Sequence, residues 1–159
     1  MRTRLPRNIA ASVHARLLTR SRENREDFQF LLQRYAAERF LYRLGRSPHR
    51  DNYVLKGAML FALWGGPGYR PTHDLDFTGY GSSEAGDVLA AFREVCATEA
   101  ADDGLVFETD ALTASPIRDE SEYRGLRVTF RARLGAARIP MQIDVGFGNA
   151  IEPGANDVR

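Results

Sequence analysis

Lys56–Thr78 reads KGAMLFALWGGPGYRPTHDLDFT, and its last residues decide the fold. Asp74 and Asp76 alternate with Leu75 and Phe77. Successive side chains of a strand point to opposite faces. A strand over Asp74–Phe77 therefore sets two carboxylates side by side on one face, with an apolar floor beneath them. Ahead of it, Lys56–Trp64 is almost wholly apolar after Lys56-Gly57-Ala58, which predicts a buried helix broken by Gly65-Gly66-Pro67-Gly68. A helix start of that kind is an anion site, because its free backbone N–H groups and its dipole both favour negative charge. Lys56 is the one lysine among 22 Lys and Arg residues. A lysine is a compact point charge suited to phosphate, whereas arginine is a planar fork.

Downstream, Leu126, Val128, Phe130, Ala132 and Leu134 alternate with Arg127, Thr129, Arg131 and Arg133. After Gly135-Ala136-Ala137, Ile139, Met141, Ile143, Val145 and Phe147 alternate with Pro140, Gln142, Asp144 and Gly146. Two alternating runs around a short glycine-containing loop predict an antiparallel hairpin with one face on the core. Its other face carries Asp144, in step with Gln142 and flanked by Gly146. Leu105–Ile117 reads as a further strand and residues 119–122 as a loop. Ser83 is expected to cap a helix from Glu84 to Ala100, with Val88, Leu89, Phe92 and Val95 inward and Cys96 packed as a small apolar group.

Upstream, Pro6–Arg22 predicts a helix with its stripe at Ile9, Val13, Leu17 and Leu18. Asn24–Leu44 predicts a second, with Phe28, Leu31, Leu32, Tyr35, Ala36 and Phe40 on one buried face. Gly45 and Pro48 end it. Tyr53-Val54-Leu55 is short and extended. The succession indicates an α/β (α+β) fold: a mixed β-sheet covered by helices, with two helices at the N-terminus.

At 159 residues the chain is expected to form one domain with a real core. No apolar run approaches the roughly 18 residues of a membrane span, and the basic N-terminus lacks the continuous apolar stretch of a secretory signal. Cys96 is the single cysteine, which excludes an internal disulfide or a cysteine-based zinc cluster and points to a reduced, cytoplasmic protein. The net charge of +1 hides an asymmetry: residues 1–50 hold twelve Arg and four acids, residues 51–159 ten bases and seventeen acids. That division suggests a basic helical arm over 1–50 that meets a polyanion, and a core over 51–159 whose acids hold metal. The plainer alternative is a solvated helix face. The arm has no groove-reading signature of a DNA-binding motif.

Asp74, Asp76 and Asp144 each lie on the polar face of an apolar strand. Converging carboxylates repel unless a cation lies between them, and all-oxygen ligands favour Mg²⁺ or Mn²⁺. Two such ions about 3.5–4 Å apart serve in-line nucleotidyl displacement. In the alternative reading, Asp74 and Asp76 are solvated acids on an edge strand and Asp144 caps a turn, since a bare DxD spacing is weak evidence. His73 has no second histidine spaced to share a metal with it and is read as packing or orienting.

YVLKGAMLFALW, RPTHDLDF and YRGLRVTFRARLGAARIPMQIDVGFG, taken in order, resemble the AbiEii/AbiGii-type toxin family, nucleotidyltransferase-like proteins of bacterial type IV toxin–antitoxin and abortive-infection systems. The family pattern is a Lys-Gly-Gly helix start, an R-x-[ST]-x-D-[LI]-D strand and a later I-D-[VI] strand. By resemblance, Lys56, Gly57 and Ala58 correspond to the phosphate loop, Asp74 and Asp76 to the metal pair and Asp144 to the third acid. Arg70 and Thr72 correspond to the residues leading into the strand and line the nucleotide. The resemblance spans residues 50–153. It implies a nucleotidyltransferase fold, transfer of a nucleoside monophosphate from an NTP, an RNA acceptor that is tRNA for some relatives, and a cognate antitoxin. Ala58 stands where the family often has Gly or Ser, which leaves the backbone N–H free but removes a hydroxyl. Relatives continue into a helical C-terminal lobe bearing a further Lys and Asp, and the chain stops at Arg159, so that wall is expected from a partner, a second copy or a longer chain. Two other functions fit the same residues: a non-catalytic module that binds RNA through the basic arm, and transfer to a small molecule or a protein hydroxyl.

Overall fold

The computed structural model describes residues 8–56, 75–117 and 124–147. Three helices and five strands follow in the order α1 (Ile9–Asn24), α2 (Phe28–Gly45), β1 (Tyr53–Leu55), β2 (Leu75–Gly79), α3 (Ala85–Ala97), β3 (Leu105–Pro116), β4 (Arg124–Leu134) and β5 (Ala137–Phe147). This is the expected α/β succession. The helix expected over Lys56–Trp64 falls outside the described residues from Gly57 onward, as does the loop expected at 119–122.

The helix boundaries follow side-chain caps. Asn8 accepts a hydrogen bond from the Ala11 N–H at 2.9 Å and opens α1 two residues past Pro6. Arg25 takes a left-handed conformation and closes it. Asp27 accepts from the Phe30 N–H at 2.8 Å, so α2 starts at Phe28 and not at Asn24. The cap of α3 is Glu84, not Ser83: the Ser82 hydroxyl accepts from the Glu84 N–H and donates to Asp87 at 2.6 Å. The helix ends at Ala97, where Thr98 turns extended.

The strands form one mixed sheet in the order β1-β2-β5-β4-β3. Only the β2–β5 pair is parallel; β1–β2, β5–β4 and β4–β3 are antiparallel. The β4–β5 hairpin turns through Gly135 and Ala136 alone, pairing Leu134 with Ala137. Gly135 takes φ 62° in that turn, the left-handed value that a primed two-residue turn needs at its first position. The alternation then buries every expected core residue of both strands, from Leu126 to Leu134 and from Ile139 to Phe147.

The core lies between this face of the sheet and the helices. Phe40 of α2 is fully buried, its ring centroid 6.5 Å from Phe77, 5.6 Å from Phe92, 6.1 Å from Phe107 and 5.9 Å from Phe130. One side chain thus ties α2 to β2, α3, β3 and β4. Val13 of α1 belongs to the same core, so both basic helices are laid on the sheet. Cys96 packs against this core as expected, and burial pushes its thiol up to about 12.

At the end of β2, the ring of Phe147 and the Val145 methyl, 2.7 Å away, occupy the space of a Gly79 Cβ. Gly79→Ala is expected to destabilise the fold by about 1–3 kcal/mol through overpacking, read as a lower denaturant midpoint. An unchanged midpoint would mean that the Phe147 ring yields freely.

Candidate functional site

β2 and β5 bring two expected site residues together. They run in register with Asp76 opposite Asp144. Leu75, Phe77, Ile143 and Val145 are buried toward the helices, so both carboxylates lie on the opposite face of the sheet, half-buried. Neighbouring strands are about 4.8 Å apart, which makes the two acids immediate neighbours.

Lys56 joins them from the position that follows β1. Its backbone N–H donates to the Asp76 carbonyl at 2.9 Å, extending the β1–β2 ladder by one residue and setting Lys56 on the carboxylate face. Its ammonium reaches over Gly146: a Cβ built there would lie 3.7 Å from Nζ. Gly146 shares the face of Asp144 two residues along, and its bare Cα leaves the lysine room to reach past β2.

The fourth member is Arg127 on β4, the register partner of Asp144. Arg127 Nε donates to Asp144 Oδ1 at 2.9 Å and Nη2 to Oδ2 at 3.0 Å. This bidentate fork fixes the plane of the carboxylate. The Asp144 side chain is 19% exposed and Arg127 44%, so the pair sits at the sheet surface. A transverse row results across four strands: Lys56, Asp76, Asp144, Arg127, with cations at the ends and acids in the middle. Arg127 is not among the residues that the sequence motifs mark. Its signal was the hairpin: with a two-residue turn at Gly135-Ala136, Arg127 pairs with Asp144.

Asp74, Gly57, Ala58, Arg70 and Thr72, also expected at the site, lie outside the described residues, as does His73. Among the described residues no group of three His, Cys, Asp or Glu could hold a metal ion; the row supplies two acids. β2 is flanked by β1 and β5 and is therefore no edge strand, and Asp144 sits within β5 and caps no turn. Each carboxylate oxygen has two lone pairs and the Arg127 fork takes one from each. Asp144 keeps acceptor capacity toward a cation, and an all-oxygen donor set suits Mg²⁺ or Mn²⁺.

Other reactive-looking groups are engaged elsewhere. The His14 ring packs edge-on against Phe28 at 5.0 Å, and His49 Nε2 lies 2.6 Å from Glu94 Oε1. A cleft of about 630 Å³ opens beside Asn8, Ile9, Asp103 and Val106 at the far edge of the sheet, away from the row. Its buried acid, Asp103, is bound by Arg39 and Arg43. The basic helices are also partly neutralised from within: Arg20 pairs with Glu26, Arg34 with Glu38, and Arg39 and Arg43 with Asp103. No described helix is long and apolar enough to cross a membrane.

The sequence model of the family described as nucleotidyl transferase AbiEii toxin, type IV TA system, matches residues 39–159. The match takes in α2 from Arg39 onward and all five strands, and it bears out the resemblance drawn from the three motifs. No curated relative matches the chain.

Proposed function

The chain belongs to the AbiEii nucleotidyl transferase toxin family, and on that premise we propose that it transfers a nucleoside monophosphate from an NTP to an RNA acceptor such as tRNA, using Mg²⁺ or Mn²⁺. The observation that carries this reading is the β2–β5 register, which sets Asp76 beside Asp144 between Lys56 and Arg127. Asp76, Asp144 and Asp74 would hold the cation. Bound there, the ion supplies charge neutralisation at the transferring phosphoryl group.

The chain's own residues do the positioning. Lys56 offers its ammonium to the triphosphate from the edge of the row, over the surface that Gly146 keeps clear. By the family resemblance, Gly57 and Ala58 would add backbone N–H groups to the phosphate contacts, and Arg70 and Thr72 would line the nucleotide. Arg127 holds the Asp144 carboxylate in one plane. In the reaction an acceptor hydroxyl releases its proton to solvent as its oxygen bonds to the α-phosphorus, the bond from the α-phosphorus to the bridging oxygen breaks, and pyrophosphate leaves. A cognate antitoxin is the expected regulatory partner, and the cytoplasm the expected compartment.

The test is incubation with each of the four α-labelled NTPs and RNA. Label is expected on the RNA, lost on chelation of the divalent cation and lost in Asp76→Ala. Absence of label with every NTP, or label undiminished in Asp76→Ala, overturns the reading. Label that moves to a protein or small-molecule acceptor in place of RNA keeps the chemistry and overturns the acceptor.

A further inference from the structure

An acceptor must approach Asp76 and Asp144 from the sheet face on which they lie. The two basic helices cover the other face, through Val13, Leu32, Ala36 and Phe40. An RNA gripped by those helices would be held behind the sheet from the reacting groups. The carboxylate face carries arginines of its own. Arg131 and Arg133 alternate with buried Phe130, Ala132 and Leu134 on β4, and Arg138 precedes buried Ile139 on β5. All three therefore share the face of Arg127 and Asp144.

Their arrangement is unbalanced in charge. Arg131 Nε donates to Glu108 Oε1 at 3.0 Å, and Arg133 Nε donates to Glu108 Oε2. The side chains of Arg131 and Arg133 remain 44% and 42% exposed. Glu108 engages the Nε edge of each fork, which leaves terminal N–H groups to point elsewhere. Arg138 is exposed and lies directly across from Arg133 in the β4–β5 register. Like charges directly opposite on a sheet are unfavourable. Glu108 thus sets one carboxylate against two guanidinium groups, and Arg138 adds a third cation across from Arg133, an excess that a polyanion relieves. Between this cluster and the Arg127–Asp144 pair lie Thr113, Thr129 and Gln142, and the two threonine hydroxyls are 2.8 Å apart. At about 3.3 Å per residue the track begins ~13 Å from Arg127, at Arg131, and reaches ~20 Å from Asp144, at Arg138.

We propose that Arg131, Arg133 and Arg138 form the track that holds the backbone phosphates of the acceptor RNA on the carboxylate face of the sheet. The identity of the ligand rests on the nucleotidyl-transfer reading; the place of the track rests on the charge geometry. The track supplies affinity and sets the strand's direction over the sheet, while the row from Lys56 to Arg127 does the chemistry.

The test is fluorescence anisotropy of a labelled RNA hairpin with a single-stranded 3′ end, titrated without NTP or divalent metal at several salt concentrations. Replacing all three by glutamine (R131Q, R133Q and R138Q together) is expected to weaken binding at least ~10-fold and to flatten the log–log salt slope by about 2, because each lost phosphate contact removes nearly one released counterion. Glu108→Gln removes the competing carboxylate and is expected to tighten binding, an opposite sign that misfolding does not produce. Glutamines at Arg16, Arg20 and Arg22 on α1 are expected to change little. Unchanged affinity and slope in the triple variant, or loss of binding in the α1 variant alone, overturns the track. So does displacement of the RNA by a polyglutamate peptide at equal charge, which would assign the cluster to an acidic protein partner. The two readings fail separately: Asp76→Ala abolishes labelling and leaves RNA affinity intact, whereas the triple variant lowers affinity and leaves NTP-dependent chemistry to be rescued by concentrated RNA.

Discussion

Asp144→Asn is expected to lower nucleotidyl transfer by about 10²–10³-fold while the fold stays intact. The substitution keeps the volume and removes one negative charge from a pair of adjacent acids. If those acids gather a cation against the transferring phosphate, the lost charge falls on the transition state, where single electrostatic contacts are worth that much. Arg127 separates this account from a purely structural one. As a positioning residue that orients the Asp144 carboxylate through two hydrogen bonds, its loss in Arg127→Gln should cost about 10–100-fold and raise the Mg²⁺ concentration needed for half-maximal rate. Arg127→Lys keeps the charge and loses the fork, and should fall between. The measurement is the initial rate of label transfer across a Mg²⁺ titration at saturating NTP. Asp144→Asn within twofold of wild type removes Asp144 from the site. A lower Mg²⁺ requirement in Arg127→Gln would make Arg127 a competitor of the metal and not its support.

These positions show where the sequence was sufficient. Alternation alone placed Asp76 and Asp144 on polar strand faces, because a period of two is a local property of each strand and the apolar partners are unambiguous. It could not place the two acids side by side. The β2–β5 pairing is parallel and joins segments separated by α3, β3 and β4, and nothing local to DLDF or QIDVGF encodes that neighbour. Arg127 was within reach but hinged on one residue of turn length. A three-residue loop at Gly135-Ala136-Ala137 pairs Arg127 with Val145, whereas the observed two-residue turn pairs it with Asp144. The charge of the basic arm records how many arginines there are and not which of them already have an acid. Asp103 lies in the turn ahead of β3, and its arginines come from α2, about sixty residues earlier in the chain.

That acid is where the largest loss of stability is expected. Asp103 is 7% exposed, and its carboxylate accepts from Arg39 Nε at 2.8 Å, from both terminal nitrogens of Arg43 at 2.9 and 3.2 Å, and from the Leu105 N–H at 3.1 Å. Its carbonyl accepts from the Tyr35 hydroxyl at 2.7 Å. Arg43 is itself buried, its guanidinium 4.9 Å from the centre of the Phe107 ring. Asp103→Ala leaves that cation without its acid in the interior, which typically costs about 3–5 kcal/mol, a large share of a total near 5–15 kcal/mol. Denaturant midpoints should show it. Arg43→Met combined with Asp103→Leu should be less destabilised than Asp103→Ala, because both charges leave together and Arg39 can turn to solvent. The pair also has a pH signature. Burial pushes the Asp103 carboxyl up, but the hydrogen bonds from Arg43, then Arg39 and Leu105, outweigh it and hold the carboxyl below its ordinary value. The unfolded chain therefore binds the proton more readily, and stability rises with pH through this range. The contribution is complete above the unfolded carboxyl value of about 3.9 and is lost as pH falls through the lower, folded value. Asp103→Asn should flatten the acid limb of the stability curve while changing its slope little near neutrality. An acid limb identical to wild type would mean that the two arginines hold Asp103 no more tightly than water does.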